Sequence, residues 1–121
     1  MTTKAVADDL VAMWKAGEFM RSGEKYWADD VVSVEAGGPP GMDPVSRGKD
    51  AAIGKGQWWA GAHETHSVEV EGPYVNGDQF TVRFKMDVTV KDSGQRMTMD
   101  EIGLYTIRDG KIAEERFFYG G

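Results

Sequence analysis

At 121 residues, 40% hydrophobic and 28% charged, the chain has the size and balance of one globular domain, 1–121, with one core. Its formal net charge of −6, with Lys and Arg scattered rather than clustered, argues against nucleic acid and against an anionic membrane surface as partners. Zero cysteines exclude disulfides and thiolate chemistry. The chain has neither a signal-like N-terminus nor an apolar run near the ~20 residues that a bilayer requires, so a cytoplasmic location is expected.

In chain order, Thr3 is placed to cap a first helix whose Val6, Leu10, Met13 and Trp14 recur along one face. Gly17 ends or bends it. A short helix is expected from Ser22 to Trp27, stopped by Asp29-Asp30, and then a strand over Val31 to Glu35. Residues 36–48 hold four Gly and three Pro, which predicts a loop and excludes a central strand. A third helix follows from Lys49 to Ala62, burying some combination of Ala52, Ile53, Trp58 and Trp59.

After His63 the period becomes two. His66, Val68 and Val70 alternate with Ser67, Glu69 and Glu71 until Gly72-Pro73 breaks the run. Asn76-Gly77-Asp78 is a hairpin signal, and Phe80, Val82, Phe84, Met86, Val88 and Val90 share one face of the next strand. Lys91-Asp92-Ser93-Gly94 turns into a long strand from Gln95 to Arg108, and Asp109-Gly110 leads into a last one from Lys111 to Tyr119. Helices followed by a meander make an α+β pattern.

Several residues invite chemistry. Glu35 stands where a strand opens into a loop, a place for a base at a pocket mouth and equally for a solvated glutamate. His63 and His66 lie three apart across a helix–strand junction, whereas a helical zinc site needs an i, i+4 pair, so no metal is expected. His66 shares a face with Val68 and Val70, as an acid/base group or as a hydrogen-bonded structural histidine. Adjacent Trp58 and Trp59 point about 100° apart on a helix, so one can face the core and the other a pocket or a partner. Tyr26 and Trp27 pose the same choice.

Three phrases carry a family resemblance: Tyr26-Trp27-Ala28-Asp29-Asp30-Val31-Val32, Arg47-Gly48-Lys49-Asp50-Ala51-Ala52-Ile53 and Tyr105-Thr106-Ile107-Arg108-Asp109-Gly110-Lys111-Ile112. In that order, and with this layout of elements, the chain resembles the nuclear-transport-factor-two-like superfamily in its SnoaL-like branch. The resemblance implies a cone-shaped fold, its helices packed in a strongly curved, mostly antiparallel sheet around an apolar pocket. It sets Glu35 on the position of the catalytic base of ketosteroid isomerases. Leu10 and Gly103 stand where those enzymes keep their oxyanion-binding tyrosine and protonated aspartate, so steroid isomerisation is not expected. The Asp-Arg-Asp set of the related epoxide hydrolases lacks its arginine, because the matching stretch holds Met99 and Glu101. SnoaL cyclases work with a single acid/base in an apolar cavity, a role open to Glu35, Glu101 or His66.

With Gly103 facing the pocket, alternation brings Met97, Met99, Glu101, Tyr105 and Ile107 to the same face. Glu101 then has either a carboxyl perturbed by apolar neighbours or an arginine partner on the next strand. In the last strand Ile112, Glu114, Arg116 and Phe118 compete with Ala113, Glu115, Phe117 and Tyr119 for the inner face. Arg116 is a charge partner for Glu101 or Glu35, or a solvated edge residue.

Two functions fit these residues. The first is cofactor-free acid/base chemistry of isomerase, cyclase or dehydratase type on a small, uncharged or weakly polar molecule. Glu35 would accept the proton, with Glu101 or His66 as its partner and Tyr26, Trp58, Trp59, Phe84, Met86, Met99, Tyr105 and Arg116 around the ligand. The second is a non-catalytic binding or dimerisation module. The apolar Phe117-Phe118-Tyr119 and the outer sheet face predict a homodimer.

Overall fold

The computed structural model describes residues 2–37, 41 and 43–120. Residues 38–40 and 42, which belong to the expected 36–48 loop, lie outside the described residues. Helix α1 spans Thr3–Lys15, and its cap is Thr2 rather than Thr3: the Thr2 hydroxyl accepts the Ala5 N–H at 3.1 Å. The helix buries Val6, Ala7, Leu10, Val11 and Trp14, and left-handed Gly17 (φ 77°) closes it. Helix α2 spans Phe19–Tyr26 and starts before the expected Ser22. The Ser22 hydroxyl donates back to the Phe19 carbonyl at 2.7 Å and accepts the Trp14 indole N–H at 2.9 Å, so Ser22 belongs to the helix interior and ties it to α1.

Strand β1 runs Trp27–Val34, so Asp29 and Asp30 lie in a strand instead of breaking a helix. They fall where β1 slips register between Trp27 and Val32, and both are exposed. The expected loop contains a short edge strand, β2 (Val45–Arg47), paired antiparallel with the end of β1 just beyond Pro44. Helix α3 spans Lys49–Ala62 as the spacing predicts.

The rest is a meander: β3 His63–Asn76, β4 Gln79–Val90, β5 Arg96–Arg108 and β6 Lys111–Phe118. Gly72-Pro73 does not end β3, because the register slips between Glu71 and Tyr74. The proline therefore occupies no ladder position where its missing N–H would cost a hydrogen bond. The six strands form one open sheet in the order β2-β1-β6-β5-β4-β3, in which only β1 and β6 pair in parallel. The result is the expected α+β cone.

The core fills one end of this cone. Phe80, Val82, Phe84, Met86 and Val88 alternate inward from β4 and are all buried. Trp14 of α1 packs on Phe84 (5.3 Å, 69°) and Tyr105 (4.9 Å, 35°), while Phe80 stacks on Tyr105 (5.0 Å, 12°). Burial of these rings is the main stabilising contribution at this end. Among the described residues no helix is long and apolar enough to cross a membrane.

Candidate functional site

The other end of the cone stays hollow. A concave cavity of about 1140 Å³ opens between α2, α3 and the inner sheet face. Glu35 follows the end of β1 at its wall; Met99, Glu101 and Tyr105 enter from β5, and Phe84 and Met86 from β4. Helix α3 contributes Trp58 and Trp59. Eight of the eleven sequence-predicted site residues thus line one cavity.

The other three lie elsewhere. Tyr26 is buried in the core, where its hydroxyl donates to Asp9, a carboxylate that also accepts from Lys25 at 2.7 Å. His66 is exposed and hydrogen-bonds Thr89 at 2.7 Å. It is the extra residue of a bulge, since Thr65 pairs with Val88 and Ser67 with Asp87; Val68 and Val70 keep the expected inner face, and Thr65 rather than His66 lines the cavity before them. Arg116 pairs with Glu114 at 3.0 Å, away from the cavity.

The phase of β6 is set by a second bulge. Thr106 pairs with Glu114 and Ile107 with Ile112, leaving Ala113 unpaired, so Ile112 faces inward and so do Glu115, Phe117 and Tyr119. Neither of the two simple alternations is realised along the whole strand.

At the centre of the polar wall stands Lys55, which sequence reasoning passed over. Its ammonium donates to Glu35 Oε1 at 2.8 Å and to the Ser33 hydroxyl, and sits 5.4 Å from the centre of the Phe117 ring. Ser33 in turn donates to Glu115 Oε2 at 2.8 Å, and the Trp27 indole N–H donates to Glu115 Oε1 at 2.7 Å. Tyr119 donates to Glu35 Oε2 at 3.1 Å. One hydrogen-bonded chain therefore runs from Tyr119 through Glu35, Lys55 and Ser33 to Glu115 and Trp27. The spacing Ala52, Lys55, Trp59 sets the three on one helix face, which only the burial of Ala52 identifies as the inner one.

Glu101 differs from the other two carboxyls. Among the described residues it has neither a hydrogen-bond nor an ion-pair partner, and burial pushes it up to about 7, aided by the negative charge of Glu35 and opposed by Lys55. The Arg partner considered for it goes instead to its neighbour: Arg83 clamps Asp100 through bonds of 2.9 and 2.6 Å on the outer face. Glu115 is also raised by burial, against the pull of its Trp27 and Ser33 donors. Burial holds the Tyr105 phenol well above its ordinary value, reinforced by Glu115, Glu101 and Glu35. Tyr119 is raised by burial and then by Glu35.

The arrangement can hold a proton on Glu101 near neutrality and present two kinds of donor, the Lys55 ammonium and the Tyr105 hydroxyl, to the same space. Among the described residues no group of three or more His, Asp or Glu is arranged to hold a metal ion.

Comparison with known proteins places this geometry in a family. A search of functionally curated proteins finds no match. Among solved structures, a candidate SnoaL-like polyketide cyclase from Mesorhizobium loti, also labelled a carbohydrate phosphatase, is similar at 54% identity and TM-score 0.93, covering 98% of this chain and 100% of that one. A candidate isomerase from Bacillus subtilis (18% identity, TM-score 0.79, covering 98% and 86%) shares the fold. So does AclR, a candidate hydroxylase from Streptomyces galilaeus (19%, TM-score 0.68, covering 96% and 77%). The SnoaL-like domain description matches residues 1–119, and the chain belongs to that family.

Proposed function

We propose that the cavity carries out cofactor-free acid/base chemistry on a small molecule, with Glu101 as the group that takes and returns the proton. The observation that carries this reading is the state of Glu101: unpartnered, walled by Phe84, Met99 and Tyr105, and raised by burial to about 7. A carboxyl near neutral pH is matched to proton transfer in both directions. Glu35 holds the position that the resemblance gives to the base, but its two oxygens accept from Lys55 and Tyr119. That suits it to tuning Glu101 through its charge rather than to accepting a proton.

In a substrate with an acidic C–H beside a carbonyl, the proton passes to the Glu101 carboxylate and the C–H electron pair moves onto the carbonyl oxygen. Lys55 and Tyr105 supply donors for that oxygen, in place of the tyrosine and aspartate lost at Leu10 and Gly103. Return of the proton at another carbon is an isomerisation; attack of the enolate carbon on a second carbonyl of the same molecule breaks that C=O π bond, the resulting alkoxide takes the proton back from Glu101, and the net reaction is a cyclisation. The cyclase and isomerase names of the structural relatives are consistent with both.

The test is proton exchange. In deuterated buffer the protein is expected to speed deuterium incorporation next to the carbonyl of β-dicarbonyl probes, with Glu101→Gln lowering the rate by about a hundredfold or more. An undiminished rate in that variant would rule Glu101 out as the proton carrier.

A further inference from the structure

The charges lining the cavity do not balance. On its inner wall stand Glu35, Glu101 and Glu115, against the single ammonium of Lys55. At the mouth, Glu18 and Arg21 pair with each other at 3.0 Å, and Asp43 and His63 complete the ionisable lining. The charge of Lys55 is paired with Glu35 at 2.8 Å, and its second bond, to the Ser33 hydroxyl, is relayed to Glu115, which leaves one N–H uncommitted but no unpaired charge. Among the described lining residues, the lysine and the arginine, Lys55 and Arg21, both pair with carboxylates other than Glu101.

A second observation points to a ligand. Tyr105 is only 3% exposed, yet its hydroxyl has no hydrogen-bond partner among the described residues. No fully buried side-chain oxygen or nitrogen there lacks a partner, so this hydroxyl must open into the cavity. Gly103 leaves room for it, since a Cβ at that position would lie 3.1 Å from the Tyr105 oxygen. A hydroxyl left open to the cavity in this way is free to bond a polar atom of a ligand in place of water. The surrounding wall is aromatic: Trp14, Phe84, Trp59, Phe117 and Tyr119 all line the same space. Aromatic faces and an unpaired carboxylate together form a recognition surface for a cationic nitrogen.

We propose that the cavity binds a small amine in its ammonium form, the charged nitrogen lying between Glu101 and the Tyr105 hydroxyl and the apolar body against the aromatic wall. It differs in charge from the uncharged or weakly polar ligand expected from sequence. It rests on the cavity being a small-molecule site but not on any reaction taking place there. An ammonium ion stabilises the Glu101 carboxylate, so it binds best when that group is ionised and displaces the proton when it is not.

The test is calorimetry with three probes of one shape: benzylammonium, benzyl alcohol and benzoate. At pH 8 benzylammonium is expected to bind about tenfold or more tighter than benzyl alcohol, with benzoate weakest. Because Glu101 titrates at about 7, the benzylammonium affinity falls about tenfold from pH 8 to pH 6, with proton release at the lower pH seen as a buffer-dependent heat. Glu101→Gln, its fold checked by circular dichroism, flattens both the charge preference and the pH dependence. Equal affinity for the three probes, tightest binding of benzoate, no benzylammonium binding at millimolar concentration, or a preference undiminished in Glu101→Gln would each overturn the inference. Binding is read without turnover. An amine-selective cavity that exchanges no deuterium therefore sinks only the proton-transfer reading.

Discussion

Glu101 is raised because folding surrounds it with Phe84, Met99 and Tyr105 and sends the nearby cations elsewhere, Lys55 to Glu35 and Arg83 to Asp100. The shift has a consequence for stability. The folded chain holds this proton more tightly than the unfolded one, with the midpoint moving from 4.5 to about 7, so the stability it contributes is full below 4.5 and is lost as pH rises through about 7. Removing the charge should therefore help most in alkali. Glu101→Gln is expected to stabilise the protein at pH 8 by up to about 3 kcal/mol and to lose that advantage near pH 4.5, as read by denaturant unfolding. A difference independent of pH would show that the carboxyl is ionised at ordinary values. The sequence made Glu101 legible through strand alternation and its apolar neighbours. It hid Lys55, because a lysine in a Gly-rich helix reads as solvated until the packing of Ala52 and Trp59 turns that face inward.

Among the elements, the strands decided what could be foreseen. β4 alternates without interruption, and its inward residues follow directly from the sequence. β3 and β6 each contain a bulge near the cavity, and each bulge reverses the phase. In β3 it expels His66 in favour of Thr65, while Val68 stays inward as expected; in β6 it brings Glu115 inward and leaves Arg116 outside. A bulge is one extra residue with no sequence mark of its own here, so period-two reasoning fails on its far side. Gly103 shows the opposite case, a close approach that the sequence does mark. A Cβ there would stand 2.8 Å from Tyr105 Cε2 and 3.2 Å from Phe84 Cε2, with the Tyr105 ring already stacked on Phe80. Gly103→Ala should cost about 1–3 kcal/mol in thermal unfolding and move the Tyr105 hydroxyl out of the site. A variant as stable as the parent would mean that the ring is free to shift.

For the whole molecule, the order of elements and the turn signals were sufficient for the α+β cone. Three helices precede or interrupt an open six-stranded sheet, and the helices fill one end and leave the other hollow. The cavity exists because α1 reaches only the Phe80–Trp14–Tyr105 layer. The homodimer expected from the last strand is a proposal. Ile102 and Phe118 are cross-strand partners and both are exposed, 38% and 50%. An exposed apolar pair of this kind fits a second copy of the chain. Light scattering is expected to give the mass of two chains, reduced to one by Phe118→Lys, and a single-chain mass for the parent would refute it.

The proposed chemistry depends on one carboxyl group, that of Glu101. Its titration can be followed directly by carbon-detected NMR of the labelled glutamates, with the Glu101 signal assigned through its loss in Glu101→Gln. The expected midpoint is about 7, moving down in Glu35→Gln as the neighbouring negative charge is removed. A Glu101 midpoint in the ordinary glutamate range near 4.3, unmoved in Glu35→Gln, would contradict the proposed acid/base site.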